Sequence, residues 1–302
     1  MKMGSSSIAE YIKTYSEQLN RHLRQSFPSD WHIDPTLKEA MEYSLFAGGK
    51  RLRPILVLAA AEAAGGEADA AMPVACAIEM VHTYSLIHDD LPAMDDDDYR
   101  RGRPTNHKVF GDGMAILAGD ALLTHAFYCA AQVAKDGRVP AERALAVIEE
   151  LAMYAGARGM VGGQAADLKG KQGLTKLEEL ESIHLRKTGD LIVFSLRAGG
   201  RIGGATDEQL AALERFGYDI GLAFQIQDDV LNVIGDEKKL GKPVKSDEKR
   251  NKATYPSFVG LEASKRSVEQ LTRRSKEAIE RAGFPHPDRL LEIADYLMKR
   301  DH

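Results

Sequence analysis

Cysteine is scarce in this sequence, which has only Cys76 and Cys129 among 302 residues. Two cysteines cannot staple a small disulfide-rich fold, and such low usage is typical of a reducing compartment. Positive charge is not in excess either, because 40 Lys and Arg residues stand against 45 Asp and Glu residues, for a net charge of −5. A nucleic-acid partner would need a clear excess of Lys and Arg, so we expect none.

Long apolar runs are also missing from the sequence. No uninterrupted run approaches the ~20 residues that a membrane-spanning helix needs. The segment from Met1 to Glu10 lacks the apolar core of a secretory signal. Hydrophobic residues make up 44% and charged residues 28% of the chain, as in ordinary globular proteins. We therefore expect a cytoplasmic protein without membrane insertion.

Helical periodicity is the main pattern that is present. In the first such stretch, apolar side chains follow one another every three or four residues, at Ile8, Ile12, Tyr15, Leu19 and Leu23. The same criterion predicts further helices over residues 53–64, 74–88, 114–133, 140–154, 189–198, 207–233 and 265–282. Alanine is abundant and alternating β-branched runs are rare, which argues against a strand-rich fold. With no linker and no internal repeat, the pattern predicts a single all-α domain over residues 1–302.

An acidic run follows the apolar stretch 80–87 and begins at Asp89 and Asp90, with four more aspartates from Asp95 to Asp98. A bare acidic run is usually a solvated loop. This one starts inside an apolar helix, where carboxylates are costly unless cations neutralise them. On a straight helix Asp89 and Asp95 would point about 240° apart. Pro92 predicts a helix break that lets Asp95 swing back towards Asp89 and share a cation with it.

A second acidic pair, Asp228 and Asp229, interrupts another apolar helix. Asn232 lies four residues after Asp228 and Gln225 three before it, so the three side chains share one helix face. Two such pairs in two core helices indicate carboxylates placed to bind cations. Hard oxygen ligands without His or Cys favour Mg²⁺, commonly shared with substrate phosphates.

Basic residues supply the complementary charge. Residues 48–54 place Lys50, Arg51 and Arg53 behind a glycine pair at the start of a helix, where backbone N–H groups favour anions. Lys187 and Lys242 stand near other predicted helix ends. A single lysine of this kind is usually a solvated surface residue. Together with the acidic pairs, however, these cations indicate a site for two phosphate ligands bridged by Mg²⁺.

On these motifs the sequence resembles the trans-isoprenyl diphosphate synthases, most closely the bacterial-type farnesyl diphosphate synthases. The resemblance runs from about Tyr43 to the C-terminus. It is carried by Asp89-Asp90-x4-Asp95, by the following residues 100–102 (Arg-Arg-Gly), and by Asp228-Asp229. It implies an all-α isoprenoid-synthase helical bundle around a deep central cavity, usually as a homodimer.

The resemblance also implies a reaction. An allylic diphosphate loses pyrophosphate with the help of Mg²⁺, about three ions per active site. The double bond of isopentenyl diphosphate attacks the resulting carbocation, and a proton then leaves. Additions to dimethylallyl and then geranyl diphosphate would give (2E,6E)-farnesyl diphosphate. Electrostatic stabilisation of the leaving group is then the main catalytic device.

Site residues follow from the same resemblance. The implied catalytic residues are Asp89, Asp90, Asp95, Lys187, Thr188, Gln225, Asp228 and Asp229. Among these, the Mg²⁺ ligands would be Asp89, Asp95 and Asp228, the last on the opposite side of the allylic diphosphate. The implied contacts to the allylic diphosphate are Arg100, Lys187, Thr188, Gln225 and Lys242. The implied contacts to isopentenyl diphosphate are Lys50, Arg53, His82 and Arg101.

Two further positions bear on activity and product. The second motif of the family usually ends in Asp, whereas this chain has Asn232, which lacks the charge but still accepts a hydrogen bond. We therefore expect weakened Mg²⁺ affinity rather than an inactive enzyme. Product length in the family depends on the residues four and five positions before the first motif, Ser85 and Tyr84. A tyrosine ring about 7.5 Å deeper along the helix would act as a floor and points to a C15 product.

Other functions remain open at this stage. A geranylgeranyl diphosphate synthase of the same family would make a C20 product, which Tyr84 disfavours. A non-catalytic regulatory subunit would have lost aspartates, but five of the six expected ones are present in this chain. A metal-binding module without chemistry would not need the basic residues. A terpene cyclase would not need the second diphosphate site at Lys50, Arg53 and His82.

Overall fold

The computed structural model describes residues 6–170, 173–174, 176–234 and 253–299. Across these residues the chain is helical apart from one two-stranded hairpin, which confirms the predicted all-α class. The chain divides into two compact units. The first comprises Met1–Leu58 and Glu67–Glu149, and the second comprises Ala59–Gly66 and Glu150–His302.

The first unit is built around one buried helix. Its helices, some of which continue into the second unit, are α1 (Ile8–Gln25), α2 (Pro35–Leu45), α3 (Leu52–Ala63), α4 (Ala68–Asp89), α5 (Asn106–Phe110), α6 (Asp112–Ala131) and α7 (Ala141–Ala155). Strands β1 (Tyr99–Arg100) and β2 (Arg103–Pro104) form the antiparallel hairpin. Helices α1, α2 and α6 pack against α4. This explains why α4 is apolar on all sides.

Local signals fix several helix starts. The side chain of Ser7 accepts the N–H of Glu10 at 3.2 Å and caps α1. Asp34 caps α2 in the same way, at 3.0 Å from the N–H of Leu37. Helix α4 begins at Ala68, six residues before the predicted start at Val74, and so contains Pro73. Because Pro73 lies near the N-terminus, its missing N–H removes one hydrogen bond without ending the helix.

A buried ion pair ties the start of α3 to the middle of α4. The guanidinium of Arg51 donates to Oε1 of Glu79 at 2.5 Å, and each side chain is only 3% exposed. Arg51 also donates to Oδ1 of Asn20 at 3.0 Å and to the carbonyl of Leu45 at 2.7 Å. Of the cations in residues 48–54, Arg51 is therefore a structural residue that points into the core.

Breaking this pair should destabilise the protein strongly. Glu79→Gln keeps the size of the side chain but leaves the charge of Arg51 buried without its counter-ion. We expect the free energy of unfolding to fall by about 3–5 kcal/mol, measured by chemical denaturation. The control is Glu42→Gln, which removes an exposed partner 4.0 Å from Lys38. That change should cost at most about 1 kcal/mol, and equal losses in the two variants would contradict the prediction.

The second unit continues the helical pattern. Its elements are α8 (Met160–Gly170), α9 (Leu177–His184), a π-helical turn (Leu185–Gly189), α10 (Asp190–Gly203), α11 (Asp207–Ile234), α12 (Tyr255–Val259), α13 (Leu261–Arg281) and α14 (Asp288–Met298). Helix α10 ends at Gly204, whose φ of 90° suits the left-handed C-terminal cap. Helix α11 packs against α10 and α13 and forms the centre of this unit.

Among the described residues, two helices are long and apolar enough to cross a membrane by length and composition alone. The windows lie in Ala68–Asp89 and Asp112–Ala134, with mean hydropathies of 1.3 and 1.4. The first window is 78% buried within the protein, as expected of a core helix. The second is only 44% buried, so α6 presents apolar side chains at the surface.

Candidate active site

The first acidic motif folds back on itself at the end of α4. The helix ends at Asp89, and the chain turns before it reaches Pro92, as the sequence predicted. The backbone N–H of Asp95 then donates to the carbonyl of Asp89 at 2.9 Å. This contact confirms that Asp95 returns to Asp89 after the helix break. The left-handed φ of 51° at Asp96 turns the chain onwards.

Asp90 has a different environment from the other aspartates of the motif. It is 3% exposed and accepts three hydrogen bonds from Arg100, from Nε at 2.9 Å to both carboxylate oxygens and from Nη2 at 2.6 Å. Burial raises the pKa of Asp90, and the Arg100 guanidinium opposes that shift. Asp90 thus holds Arg100 in place beside the motif.

A group of basic side chains accompanies the motif in the first unit. Burial lowers the pKa of Arg53 to about 10, and Arg101 adds to that shift while Glu79 opposes it. Its Nε is buried and makes no hydrogen bond to the described residues. Burial and the neighbouring charges of Arg53 and Arg101 hold the pKa of His82 well below its ordinary value. His82 is therefore neutral near pH 7 although it lies among these cations.

The β-hairpin presents Arg101 to this group. Its two turn residues, Arg101 and Gly102, have φ values of 54° and 74°, the geometry of a tight hairpin turn. The Arg101 guanidinium donates to the carbonyl of Gly48. A Cβ at Gly49 would lie 2.7 Å from that guanidinium, and the φ of 125° at this position favours glycine. The exposed Lys50 follows directly, in the same loop.

The predicted product-length residues lie on α4. Tyr84 is 6% exposed, and burial raises its pKa to about 12. Its ring meets that of His88 edge-on, with centroids 5.7 Å apart. Nε2 of His88 lies 3.0 Å from the carbonyl of Ile116 on α6, over Gly119, where any Cβ would collide with the imidazole. The hydroxyl of Ser85 donates a hydrogen bond to the backbone carbonyl of His82 at 2.8 Å.

The second acidic motif lies on the continuous helix α11 of the second unit. Gln225 and Asn232 are half-buried, and Asp228 is exposed. Oδ2 of Asp229 accepts the backbone N–H of Tyr255 at 2.8 Å, at the start of α12. Asp229 therefore accepts a hydrogen bond from the backbone of another helix, and the adjacent Asp228 is exposed. Lys242 lies outside the described residues.

Lys187 lies in the π-helical turn, together with the half-buried Thr188. Nζ of Lys187 donates a hydrogen bond to Oδ2 of Asp167 on α8 at 2.7 Å. Asp167 is a site residue that sequence reasoning missed. No sequence pattern links Asp167 to Lys187, but the structure shows that a Cβ at Gly163 would strike the backbone of the turn at Lys187. The glycine allows α8 to approach the turn and place Asp167 beside Lys187.

The acidic motifs suit a metal that is bound by protein carboxylates and by a substrate at the same time. Within the described part of the chain, no group of three or more His, Cys, Asp or Glu side chains is arranged to hold a metal ion. The first motif instead brings together Asp89 and Asp95, while Asp90 is held by Arg100. Mg²⁺ is commonly bound by one or two carboxylates and completed by water and substrate phosphates. These carboxylates therefore fit Mg²⁺ bound together with a diphosphate.

Comparison with known proteins places these features in context. Residues 34–283 match the family model described as polyprenyl synthetase. The chain is 55% identical over 232 residues to the farnesyl diphosphate synthase of Geobacillus stearothermophilus, across 77% of this chain and 78% of the relative. It is 45% identical over 302 residues to the geranylgeranyl diphosphate synthase of Cyanophora paradoxa, across 98% and 97% of the two chains. The crystal structure of an FPP/GFPP synthase from Zymomonas mobilis matches with a TM-score of 0.83 and 35% identity, across 96% of this chain and 98% of that one.

Proposed function

We propose a specific prenyl-transfer reaction for this chain, which belongs to the polyprenyl synthetase family. The chain is a farnesyl diphosphate synthase. It condenses isopentenyl diphosphate with dimethylallyl diphosphate and then with geranyl diphosphate, to give (2E,6E)-farnesyl diphosphate. It works as one polyprenyl synthetase domain over residues 1–302.

One observation carries this proposal. In the first unit, the backbone turn that returns Asp95 to Asp89 occurs together with the neighbouring basic group of Arg53, His82 and Arg101. Carboxylates that bind a metal–diphosphate and cations that bind a second diphosphate are what a reaction between two diphosphates requires. A metal-binding module without chemistry would not need the second group.

The reaction begins with loss of pyrophosphate from the allylic substrate. Mg²⁺, when bound, neutralises the charge that develops on the leaving diphosphate. Asp89 and Asp95 would hold it in the first unit, and Asp228 would hold it in the second. Arg100, fixed by Asp90, adds positive charge beside the first motif, and Lys187, fixed by Asp167, adds it in the second unit. Cations held in place before the reaction cost little reorganisation when the bond breaks.

The second substrate is bound by the basic group. Lys50, Arg53 and Arg101 bind the diphosphate of isopentenyl diphosphate, and the neutral His82 donates a hydrogen bond to it. The double bond then attacks the allylic carbocation, and a proton leaves the new chain to restore a double bond. Thr188 and Gln225 turn their oxygens towards the cation. No covalent bond to the protein forms at any step.

Product length follows from Tyr84. Its ring is buried and supported by His88, which is itself fixed against α6 by Ile116 and Gly119. A supported ring resists the growing apolar chain better than a mobile one would. This support favours a C15 product over the C20 product named for the Cyanophora relative.

We also propose that the protein is a cytoplasmic homodimer that does not insert into a membrane. Ile116 and Leu117 on α6 are 43% and 54% exposed, although their helix is strongly apolar. A second copy of the chain would cover this face. Leu117→Lys should shift the mass measured by light scattering from dimer to monomer. Leu145→Lys, at a position 67% exposed on α7, should leave it unchanged. A monomeric wild-type protein would contradict the proposal.

The reaction is tested by incubating the purified protein with Mg²⁺, isopentenyl diphosphate and dimethylallyl diphosphate. The prenyl alcohols are then identified after removal of the diphosphate. Farnesol should be the main product, and chelation of the metal should abolish it. Geranylgeraniol as the main product would leave the reaction class intact but overturn the product assignment. No prenyl alcohol from folded protein would favour the regulatory-subunit alternative.

Asn232→Asp should strengthen the response to Mg²⁺. The variant restores the carboxylate on the face that carries Asp228, so the Mg²⁺ concentration for half-maximal rate should fall roughly 3- to 10-fold. Gln227→Glu is the control, because it adds the same charge to α11 but lines a groove with Lys265 and Lys276. An equal response in both variants, or none in Asn232→Asp, would sink the prediction.

A further inference from the structure

A buried histidine at the end of α9 has no part in the reaction described above. His184 is 9% exposed, and its Nε2 is buried without a hydrogen-bond partner among the described residues. Buried ring nitrogens are normally hydrogen-bonded, because desolvation without a partner costs free energy. An orphaned nitrogen in this position therefore needs a physical reason.

The nearest charged group to this nitrogen belongs to the second acidic motif. Nε2 of His184 lies 3.6 Å from Oδ2 of Asp229, and the two side chains are 10% and 15% exposed. The same oxygen accepts the backbone N–H of Tyr255 at 2.8 Å. A backbone N–H group and an imidazole nitrogen from two different elements thus approach one carboxylate oxygen. Contacts of this kind commonly tighten when substrate completes the site.

The three elements that carry these groups share one apolar cluster. Leu180 of α9, Ile226 and Val230 of α11, and Tyr255 of α12 are all buried within it. Tyr255 also donates from its hydroxyl to Oε1 of Glu181 at 3.1 Å. The apolar packing fixes the backbones, so the His184–Asp229 approach results from how the three helices meet and not from a mobile surface side chain.

We infer that His184 is a positioning residue for the second acidic motif. Its Nε2–H group and the N–H of Tyr255 hold Asp229, so that the adjacent Asp228 is kept in the orientation needed to bind the metal–diphosphate. His184 also directly precedes the π-helical turn Leu185–Gly189, which carries Lys187 and Thr188. His184 therefore connects the second acidic motif, through Asp229, to the turn that carries Lys187. The inference rests on the proposed function.

The test compares His184→Leu, which removes the N–H group, with His184→Gln, which keeps a donor at nearly the same reach. Thermal unfolding of the full chain is followed with inorganic pyrophosphate and increasing Mg²⁺. In His184→Leu, the Mg²⁺ concentration that gives half of the ligand-dependent stabilisation should rise about 10-fold. In His184→Gln it should stay within about 2-fold of the wild-type value.

Tyr255→Phe is the matched control. It removes the hydroxyl contact to Glu181 but keeps the backbone N–H that binds Asp229, so the Mg²⁺ dependence should not change. The unfolding temperature without ligand reports the purely structural cost of each variant. If His184→Leu does not fold, His184→Asn replaces it, because its shorter side chain does not reach Asp229.

Three results would overturn the inference: an unchanged Mg²⁺ dependence in His184→Leu (or in its substitute), equal shifts in the donor and non-donor variants, or the same shift in Tyr255→Phe. The prenyl-transfer assay on the wild-type protein distinguishes failure of this inference from failure of the proposed function. If the wild type forms farnesol and these variants fail to discriminate, only the role of His184 is wrong. If the wild type forms no prenyl product, the proposed function fails, and this inference fails with it.

Discussion

Asp89→Asn should reduce kcat about 10³-fold, because it removes a charge needed to stabilise the leaving diphosphate. The backbone carbonyl of Asp89, which accepts the N–H of Asp95, is retained in this variant. The fold of the acidic loop should therefore survive, and the unfolding temperature should stay close to that of the wild type. Steady-state rates with geranyl diphosphate, measured at saturating Mg²⁺, check the effect.

Asp98→Asn is the matched control within the same acidic run. Asp98 is exposed and pairs with Lys108 at 2.7 Å instead of pointing to the motif. Its loss should change kcat less than about 2-fold, because exposed ion pairs contribute little. A similar loss of rate in both variants would mean that the run acts only through its total charge. A fall of less than about 10-fold in Asp89→Asn would argue against metal binding at this position.

Tyr84→Ala should change the product from C15 to C20 or longer. The substitution removes a buried ring that has His88 packed against its edge. The space released lies deeper along α4, where the growing chain would extend. Analysis of the prenyl alcohols by chromatography gives the ratio of C20 to C15 directly. The variant should also lose about 3–5 kcal/mol of stability, so the assay is run well below its unfolding temperature.

Tyr84→Phe separates the ring from its hydroxyl. Burial raises the pKa of the Tyr84 hydroxyl to about 12, so it stays neutral near pH 7. This variant should therefore keep the C15 product. Longer products from Tyr84→Phe would show that the hydroxyl, and not the bulk of the ring, limits the chain. An unchanged product from Tyr84→Ala would contradict the hypothesis that the Tyr84 ring limits product length.

Sequence reasoning was most successful where a local rule applies. Pro92 predicted the helix break, and the return of Asp95 to Asp89 followed from it, because a proline in this position cannot continue a helix. Helix periodicity likewise predicted α11 almost to its ends. The start of α4 was wrong by six residues, since tertiary packing stabilises a first turn that Pro73 made unlikely from sequence alone.

Contacts between distant segments were beyond the reach of sequence patterns. Asp167 stands 20 residues before Lys187, and neither spacing nor charge links the two in the sequence. The same holds for His184 and Asp229, which only the packing of α9, α11 and α12 brings together. Arg51 looked like one of three equivalent cations. Which of them points into the core depends on the position of Glu79, and that is a property of the fold.

The Arg51–Glu79 pair gives the basic loop a fixed register. Because Arg51 is anchored in the core, the positions of Lys50 and Arg53, one residue before it and two after it, are fixed along the chain. Inserting or deleting one residue between Gly49 and Arg51 would bring a different side chain opposite Glu79. The length of the loop is therefore as important as its residues for the diphosphate site proposed above.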